Sequence, residues 1–227
     1  GQVVIEFSGN ACIVRTPASM QQALQTREAI RIDRDLRSRF NDRVIEEMPI
    51  AMLYNGVSHA VMMATPVDLE DFALGFSLSE GVVENPGQFT FIEAVKIDFG
   101  LSLEMTIPQS RFDLLSERQR NISAASGCGL CGVESLQAAL RPAPRVDSVR
   151  KIAVHEITGG IQALGEHQPL NSESGGVHAA GFVHAGGILV REDVGRHNAL
   201  DKLIGALARQ KAGDGFLVLS SRASYEL

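Results

Sequence analysis

The segment PIAMLYNGVSHAVMMATP, residues 49–66, constrains the fold more strongly than any other part of the chain. Two apolar runs flank the dipeptide Asn55-Gly56, and these residue types accept the positive φ angles that both central positions of a two-residue hairpin turn require. The segment therefore predicts a β-hairpin. In the following PVDLEDFALGFSLSEGVV, apolar side chains recur at helical spacing between Asp68, a good N-cap, and Gly81, a good helix terminator. This pattern predicts a helix that packs on the hairpin.

The C-terminal part of the chain repeats the order of hairpin and helix. Residues 178–193 predict a hairpin that turns at Gly186-Gly187. Asp193 is expected to cap a helix that reaches Gln210, because apolar residues again recur at helical spacing. The continuous apolar run within residues 215–221 then predicts a strand that is buried on both faces.

Weaker signals in the other segments complete a mixed α/β pattern. They predict a strand pair over residues 91–107, a short helix over 133–140, a helix or strand over 152–164 and a mobile loop over 165–176. We expect an α/β fold, a mixed sheet with helices, in three parts: an N-terminal β-hairpin and helix subdomain (1–125), a mobile loop with short helix and linker (126–145), and a C-terminal α/β nucleotide-binding subdomain (146–227). The final SRASYEL has the pattern of a helix start, so we expect the last subdomain to be incomplete.

Composition and charge narrow the possible function classes. The formal net charge of −6 argues against a large nucleic-acid surface, although a few local donors suffice to bind one nucleotide. No apolar run reaches the ~20 residues of a membrane span, and the first residues lack the pattern of a signal peptide. Three cysteines, an odd number, argue against a disulfide framework. The sequence therefore predicts a soluble protein of a reducing compartment, by default the cytoplasm.

The segment SGCGLCG, residues 126–132, holds Cys128 and Cys131 on a glycine-rich backbone. A zinc site is disfavoured because the sequence lacks a second ligand pair at zinc-finger spacing, and no metal site is expected. A redox dithiol has the observed spacing, but such cysteines are usually held rigidly at a helix start. A mobile sulfur nucleophile suits the glycines best, since glycine maximises backbone freedom. Burial of two small side chains in a packed turn is the fourth interpretation.

A second group of polar residues follows Asp193, where the C-terminal helix is predicted to start. The first N–H groups of a helix lack internal partners and lie at the positive end of its dipole, so they can hold an anion such as phosphate. Gly195 would let a ligand approach the backbone closely. Side-chain donors follow at Arg196, His197 and Asn198. The alternative is an ordinary capped surface helix, which explains Asp193 but not the Arg-His-Asn cluster.

Two further segments are expected at the same site. Ser220, Ser221 and Arg222 follow a predicted buried strand, and ligands of open α/β sheets bind beyond the carboxyl ends of such strands. Their hydroxyl and guanidinium groups suit a phosphate or the edge of a base. His178 is expected to face the same crevice, with a structural role as its alternative.

Several blocks of the sequence resemble the FdhD family. These blocks are DLEDFALGFSLSEGVV, SGCGLCGVESL, GGVHAA, EDVGRHNALDKLIG and SSRASYE. They occur in the order of the family and extend from about residue 44 to the end of the chain, whereas residues 1 to about 40 add little.

The resemblance implies a sulfurtransferase that serves formate dehydrogenase. In this family, a cysteine desulfurase passes sulfur as a persulfide to a loop cysteine, which matches Cys128, and Cys131 matches the second cysteine of the pair. The sulfur is then delivered to the molybdenum cofactor, bis-molybdopterin guanine dinucleotide, before the cofactor enters the apo-dehydrogenase. Its guanine nucleotide ends are expected at the predicted helix start and at residues 220–222, and a guanine nucleotide is expected to bind there too.

The resemblance also implies a homodimer and a fold similar to that of cytidine deaminases, with an added N-terminal β-rich subdomain. The zinc signature of the deaminases is absent, so deamination of bases is not expected. Two other function classes stay open. One is a non-catalytic chaperone that only holds the molybdenum cofactor, and the other is a thiol–disulfide redox protein.

Overall fold

The computed structural model describes residues 23–33, 36–125, 150–210 and 213–222, without the side chains of 91–92 and 118–125. Cys128, Cys131 and the helix predicted at 133–140 lie outside the described residues. In chain order, the described elements are β1 (Leu24–Asp33), β2 (Leu36–Ile45), β3 (Met48–Tyr54), β4 (Val57–Ala64), α1 (Leu69–Ser79), a 3₁₀ turn (Pro86–Gln88), β5 (Phe91–Ile97), β6 (Gly100–Thr106), α2 (Gln109–Ala125), α3 (Val154–Glu166), α4 (Pro169–Ser174), β7 (His178–His184), β8 (Gly187–Asp193), α5 (Arg196–Gln210) and β9 (Gly215–Leu219).

The described strands form three sheets. Strands β1 and β2 make a two-stranded antiparallel ribbon, which we call the arm. The order β4-β3-β6-β5 makes a four-stranded sheet in which β3 and β6 run parallel and the other neighbours run antiparallel. The order β8-β7-β9 makes an antiparallel three-stranded sheet. Sheets and helices together confirm the expected mixed α/β class.

The turn between β3 and β4 confirms the hairpin predicted there. Asn55 and Gly56 have φ angles of 50° and 80°, the left-handed values that a two-residue hairpin turn requires. Helix α1 follows and places Phe72 and Phe76 with Tyr54 in the core that covers one face of the four-stranded sheet. The hairpin and the helix therefore form one packed unit, as expected.

The two ends of α1 differ in how well the sequence predicts them. Gly81 adopts a φ of 63° two residues after Ser79, which confirms it as the helix terminator. Asp68 occupies the N-cap position, but its φ is 51° and its side chain makes no capping hydrogen bond. Its predicted capping role is therefore wrong. The Asp68 carboxylate lies 3.7 Å from Arg191 instead. It therefore interacts with a residue that is distant in the sequence and not with an N–H group of its own helix.

Helices cover both faces of the three-stranded sheet. Along β7, Ala180 and Phe182 point to one face, where they pack on α5. Ala179 and Val183 point to the other face, where they pack with Leu164 of α3. This alternation follows from the two-residue period of a strand. Residues 152–164, for which the sequence allowed a helix or a strand, thus belong largely to a helix.

Two glycines allow α1 and α5 to approach at backbone distance. A Cβ atom added to Gly75 of α1 would lie 1.7 Å from the carbonyl oxygen of Asp201, and one added to Gly205 of α5 would lie 1.9 Å from that of Asp71. Any side chain at either glycine would force the helices apart. This contact joins the helix of the four-stranded sheet to the helix of the three-stranded sheet.

The segment predicted as a mobile loop contains the short helix α4, so that prediction is wrong. The carboxylate of Glu192 accepts hydrogen bonds from the N–H groups of Leu170 and Asn171, both at 2.9 Å. These groups belong to the first turn of α4 and lack partners within the helix. A distant side chain therefore orders a segment whose own composition is typical of a loop.

Strand β9 is half-exposed, which corrects the prediction that both of its faces are buried. It pairs with β7 and, among the described strands, lies at the edge of its sheet. Leu217 is 50% exposed, whereas Val218 is buried. A continuous apolar run does not distinguish a central strand from an edge strand whose outer side is open.

The remaining predictions on organisation have mixed outcomes. The strand pair at residues 91–107 is confirmed as β5 and β6. The later hairpin is confirmed as well, but its turn lies at residues 185–186, one residue before the predicted Gly186-Gly187. The division into three subdomains stays a prediction. Within the described residues, no helix has the length and apolar character to cross a membrane.

Candidate functional site

The three segments predicted to form a site meet at one end of the three-stranded sheet. His178 begins β7 and is paired in register with Asp193, the last residue of β8. Ser220 follows β9, where its hydroxyl accepts the N–H of Ala179 at 2.8 Å and its own N–H donates to the Ala179 carbonyl at 3.0 Å. Because β7 is antiparallel to both neighbours, its start lies beside their ends.

The start of α5 lies at this end of the sheet. Its first backbone hydrogen bond runs from the N–H of Ala199 to the carbonyl of Gly195, at 2.9 Å. Gly195 is therefore the N-cap residue, and Arg196 is the first helical residue, which corrects the prediction that Asp193 caps the helix directly. The N–H groups of residues 196–198 precede this first bond and point out of the helix. They form the positive end of the α5 dipole.

Asp193 and Lys202 form a fully buried ion pair behind the helix start. The Lys202 ammonium lies 2.7 Å from Oδ2 of Asp193, and both side chains have 0% exposure. The same oxygen accepts the N–H of Thr65 at 3.0 Å, and Oδ1 accepts the N–H of Gly195 at 2.8 Å. The Asp193 carboxylate thus joins the helix start to the end of β4.

Asn198 completes this buried network. Its amide nitrogen donates to Oδ1 of Asp193 at 3.0 Å and to the carbonyl of Met63 at 2.8 Å, and the residue is 4% exposed. The side chains of Asp193 and Asn198 therefore hold the helix start in place. Their expected contact with a cofactor stays a prediction, and in this structure their polar atoms bind protein groups.

Thr65 and Lys202 were not found from the sequence. Lys202 also donates to the carbonyl of Thr65 at 3.0 Å, and the Thr65 hydroxyl accepts the N–H of Val194 at 3.2 Å. One signal for Lys202 was present in the sequence. It follows Ala199 by three residues and precedes Ala206 by four, so a charged residue stands on the apolar side of the helix.

The remaining candidates lie nearer to solvent. Arg196 and His197 are half-buried, and the Arg196 Nε is a buried nitrogen without a hydrogen-bond partner among the described residues. Ser221 is half-buried and Arg222 is exposed. His178 is half-buried at the start of β7. These groups and the N–H groups of the α5 start make this end of the sheet rich in donors, which suits an anion such as phosphate.

Asp201 lies four residues after His197 on α5. Oδ1 of Asp201 accepts the hydroxyl of Ser79 at 2.7 Å, so this carboxylate contacts α1. Burial raises the pKa of Asp201 to about 6, against the lowering effect of the Ser79 bond, and the nearby carboxylates of Glu80 and Asp193 raise it further. Burial likewise raises the pKa of Glu192 above its ordinary value.

A second ionic network lies on the same face of β8 and begins at Arg191, two residues before Asp193. The guanidinium of Arg191 binds Oδ2 of Asp71, with Nη2 at 2.7 Å, and Arg209 binds Oδ1 of the same carboxylate at 3.0 Å. Asp71 belongs to α1, Arg191 to β8 and Arg209 to α5. The network therefore links α1 to both elements that carry the candidate site.

Comparisons with known proteins point to one family. The model of the FdhD/NarQ family matches residues 45–227. The sulfur carrier protein FdhD of Xanthomonas campestris pv. campestris (strain B100) is 53% identical over 190 residues, which cover 82% of this chain and 68% of the relative. The sulfur carrier protein FdhD of Acinetobacter baylyi is 47% identical over 192 residues, 82% of this chain and 70% of the relative.

A solved structure supports the fold. The crystal structure of a candidate formate dehydrogenase accessory protein from Desulfotalea psychrophila has a TM-score of 0.62 and 21% sequence identity to this chain. The match covers 88% of this chain and 73% of that one. At this identity the likeness shows the fold alone, and the expected similarity to cytidine deaminases stays a prediction.

Proposed function

This chain belongs to the FdhD/NarQ family, and we propose that it is a sulfur carrier in formate dehydrogenase maturation, which accepts sulfur at Cys128 from a cysteine desulfurase. The observation that carries the proposal is the family match over residues 45–227, a range that contains both Cys128 and Cys131. The acceptor is the molybdenum cofactor, bis-molybdopterin guanine dinucleotide, before it enters the apo-dehydrogenase. The protein works as a homodimer in the cytoplasm, where thiols stay reduced.

The first step is a thiol exchange without net oxidation. The Cys128 thiolate attacks the outer sulfur of the donor persulfide, the sulfur–sulfur bond of the donor breaks, and the donor cysteine leaves as a thiolate. One sulfur atom thereby moves to Cys128. Cysteine suits this step because its thiolate is a strong nucleophile near neutral pH.

Delivery of the sulfur as sulfide needs two electrons, and we assign their supply to Cys131. Its thiolate attacks the inner sulfur of the Cys128 persulfide, which forms a Cys128–Cys131 disulfide and expels sulfide to the acceptor. A dithiol reductant of the thioredoxin class then restores both thiols. The spacing of the two cysteines supports this assignment, because CxxC pairs are typical of reversible disulfides.

The guanine nucleotide ends of the cofactor bind at the donor-rich end of the three-stranded sheet. Support comes from the α5 start, where the buried ion pair of Asp193 and Lys202 holds the backbone N–H groups in place. Arg196 and Arg222 supply positive charge for the phosphates. Such a site, held by a rigid ion pair behind it, needs little rearrangement when the ligand binds.

Mass spectrometry after incubation with a cysteine desulfurase and cysteine tests the proposal. The wild-type protein should gain one sulfur atom, and Cys12→Ala is the control that should gain it as well. Cys128→Ala should not. An unchanged gain in Cys128→Ala would contradict the assignment of the acceptor.

Two other results would indicate the alternative function classes. Full activation of formate dehydrogenase by Cys128→Ala/Cys131→Ala would indicate a chaperone that only holds the cofactor. A reversible Cys128–Cys131 disulfide, together with maturation that needs no sulfur donor, would indicate a redox protein.

A further inference from the structure

The arm carries an apolar and basic face that the described part of the protein leaves uncovered. Ile30 is paired with Arg39 and Ile32 with Arg37, so the four side chains lie on one face of the ribbon. Ile30 is 56% exposed and Ile32 is 64% exposed. Arg37 is exposed as well, and Arg39 forms an ion pair with the exposed Glu28 of the same ribbon at 2.8 Å. Apolar side chains exposed together in this way mark an interaction surface.

The four-stranded sheet has an outer face, opposite α1, that is apolar and acidic. Its inner face is covered, because Ile50, Met52 and Leu103 lie in the core. The outer side chains alternate with these, and they include Val61 at 61% exposure and Met63 at 49%.

Two carboxylates stand directly opposite each other on this outer face. Glu93 of β5 and Glu104 of β6 are paired in register, and both are half-buried. Like charges in directly opposed positions destabilise a sheet. Such a pair is relieved when a positive group lies between or above the two carboxylates.

The net charges of the arm and of the rest of the chain are also opposite in sign. Residues 24–45 contain six arginines and four acidic residues, a net charge of +2, whereas the chain as a whole has −6, which leaves −8 for the rest. The arm is therefore attracted to the body of another copy of the same chain.

From these observations we propose that the arm of one copy lies on the outer face of the four-stranded sheet of a second copy. Ile30 and Ile32 cover Val61 and Met63, and the arginines approach the carboxylate pair. This inference rests on the homodimer of the proposed function and adds the surfaces that form it. It does not depend on the sulfur chemistry.

The dimensions of the two surfaces allow this contact. A strand of ten residues spans ~33 Å, and a sheet of four strands is ~15–20 Å wide. The arm is therefore long enough to cross the whole sheet. In a two-fold dimer each copy gives one arm and receives one, so the contact occurs twice.

Charge exchange between the two surfaces tests the proposal. The arm variant is Arg37→Glu/Arg39→Glu, and the face variant is Glu93→Lys/Glu104→Lys. Each variant alone brings like charges together, so the dimer dissociation constant should rise about tenfold or more, measured by analytical ultracentrifugation. A mixture of the two variants should restore the dimer, because each arm then meets a face of opposite charge. The combination of all four substitutions in one chain should restore it too.

The matched control changes the opposite face of the arm. Arg27→Glu/Arg31→Glu makes the same change in charge, and its side chains point away from Ile30 and Ile32. It should leave the dimer unchanged. Three results would each overturn the proposal: a wild-type protein that is monomeric, equal effects of the arm variant and the control, or a mixture of the arm and face variants that stays monomeric. The last two would do so even if the protein forms a dimer through another surface. Persulfide formation on Cys128 is measured in parallel, so that a failure of the dimer contact is distinguished from a failure of the proposed function.

Discussion

The ammonium of Lys202 lies 2.7 Å from the carboxylate of Asp193, and neither side chain is exposed to solvent. Asp193 ends β8 and Lys202 lies in the second turn of α5, so the ion pair joins the end of the strand to the helix that follows it. The Thr65 backbone contacts both members, which brings the end of β4 into the same network. The position of the α5 start is therefore set by Asp193 and Lys202, which are close in the sequence, and by Thr65, which is far away from both.

Removal of the Lys202 charge should destabilise the protein strongly. In Lys202→Met the Asp193 carboxylate stays buried without its cation, which typically costs ~3–5 kcal/mol. Urea denaturation at pH 7.5 measures the loss. Lys151→Met, at an exposed lysine, is the control and should change the unfolding free energy by less than ~0.5 kcal/mol. Equal effects of the two substitutions would show that the buried pair adds nothing to stability.

Substitution of Asp201 should change how stability depends on pH. The pKa of Asp201 is about 6 in the folded protein, against an ordinary value of 3.8 in an unfolded chain, so the stabilising contribution of this carboxyl group is largest below pH 4 and is lost as the pH rises through 6. Asp201→Asn removes this charge and keeps an oxygen for the Ser79 hydroxyl. The unfolding free energy of the variant minus that of the wild type should therefore be about 2–3 kcal/mol larger at pH 7.5 than at pH 4. Denaturation curves of both proteins between pH 4 and 7.5 measure this, and a difference that stays constant over that range would contradict it.

A methyl group at Gly205 should separate α1 from α5. Gly205→Ala places a Cβ where the carbonyl oxygen of Asp71 lies, and overpacking of this kind costs ~1–3 kcal/mol or more. Gly159→Ala is the matched control in helix α3, where an added Cβ meets no atom within 4 Å. It should stabilise the protein by ~0.5–1 kcal/mol, because alanine favours the helix. Thermal unfolding measures both, and the same sign for both variants would contradict the close contact.

Guanine nucleotide binding should depend on Arg196. Arg196→Gln removes a charge at the start of α5, and we expect the dissociation constant for guanosine diphosphate to rise about tenfold, the effect of one charge-assisted contact. Isothermal titration calorimetry measures the affinity, and Lys151→Gln, at an exposed lysine outside the site, should bind as the wild type does. Unchanged binding by Arg196→Gln would place the nucleotide elsewhere.

The two cysteines should separate the two steps of sulfur transfer. Cys131→Ser should still gain one sulfur atom from the desulfurase, because acceptance needs only Cys128. It should fail to activate formate dehydrogenase, because the Cys131 thiolate expels the sulfide. Mass spectrometry and a dehydrogenase activation assay report the two steps. Full activation by Cys131→Ser would show that delivery does not use this thiol.

Local elements of the fold were predictable where a residue type is specific for one backbone conformation. Asn55-Gly56 specified a hairpin because few other dipeptides accept two positive φ angles. Gly81 ended α1 for the same reason. The predicted capping role of Asp68 was wrong, since its carboxylate makes no capping bond and faces Arg191, which is far away in the sequence.

The candidate site was predictable as a set of segments. His178, the α5 start and the residues after β9 were each expected at a ligand site, and the antiparallel sheet brings them to one end. The inner parts of the site were not predictable. Aspartate and asparagine bind a ligand as readily as they bind protein groups, so the types of Asp193 and Asn198 do not reveal their role. Only their burial beside Lys202 and Thr65 shows that they hold the helix start.

The sequence by itself determined the hairpins, helices α1 and α5 and the family to which the chain belongs, because φ requirements, apolar periodicity and motif order are local properties. The tertiary structure alone decided the pairing of Asp193 with Lys202, the helix at residues 169–174 and the contact between Gly75 and Gly205 of different helices. These features depend on which distant groups share a buried space. A buried charge or an unpartnered N–H group is stabilised only by the partner that the fold places beside it.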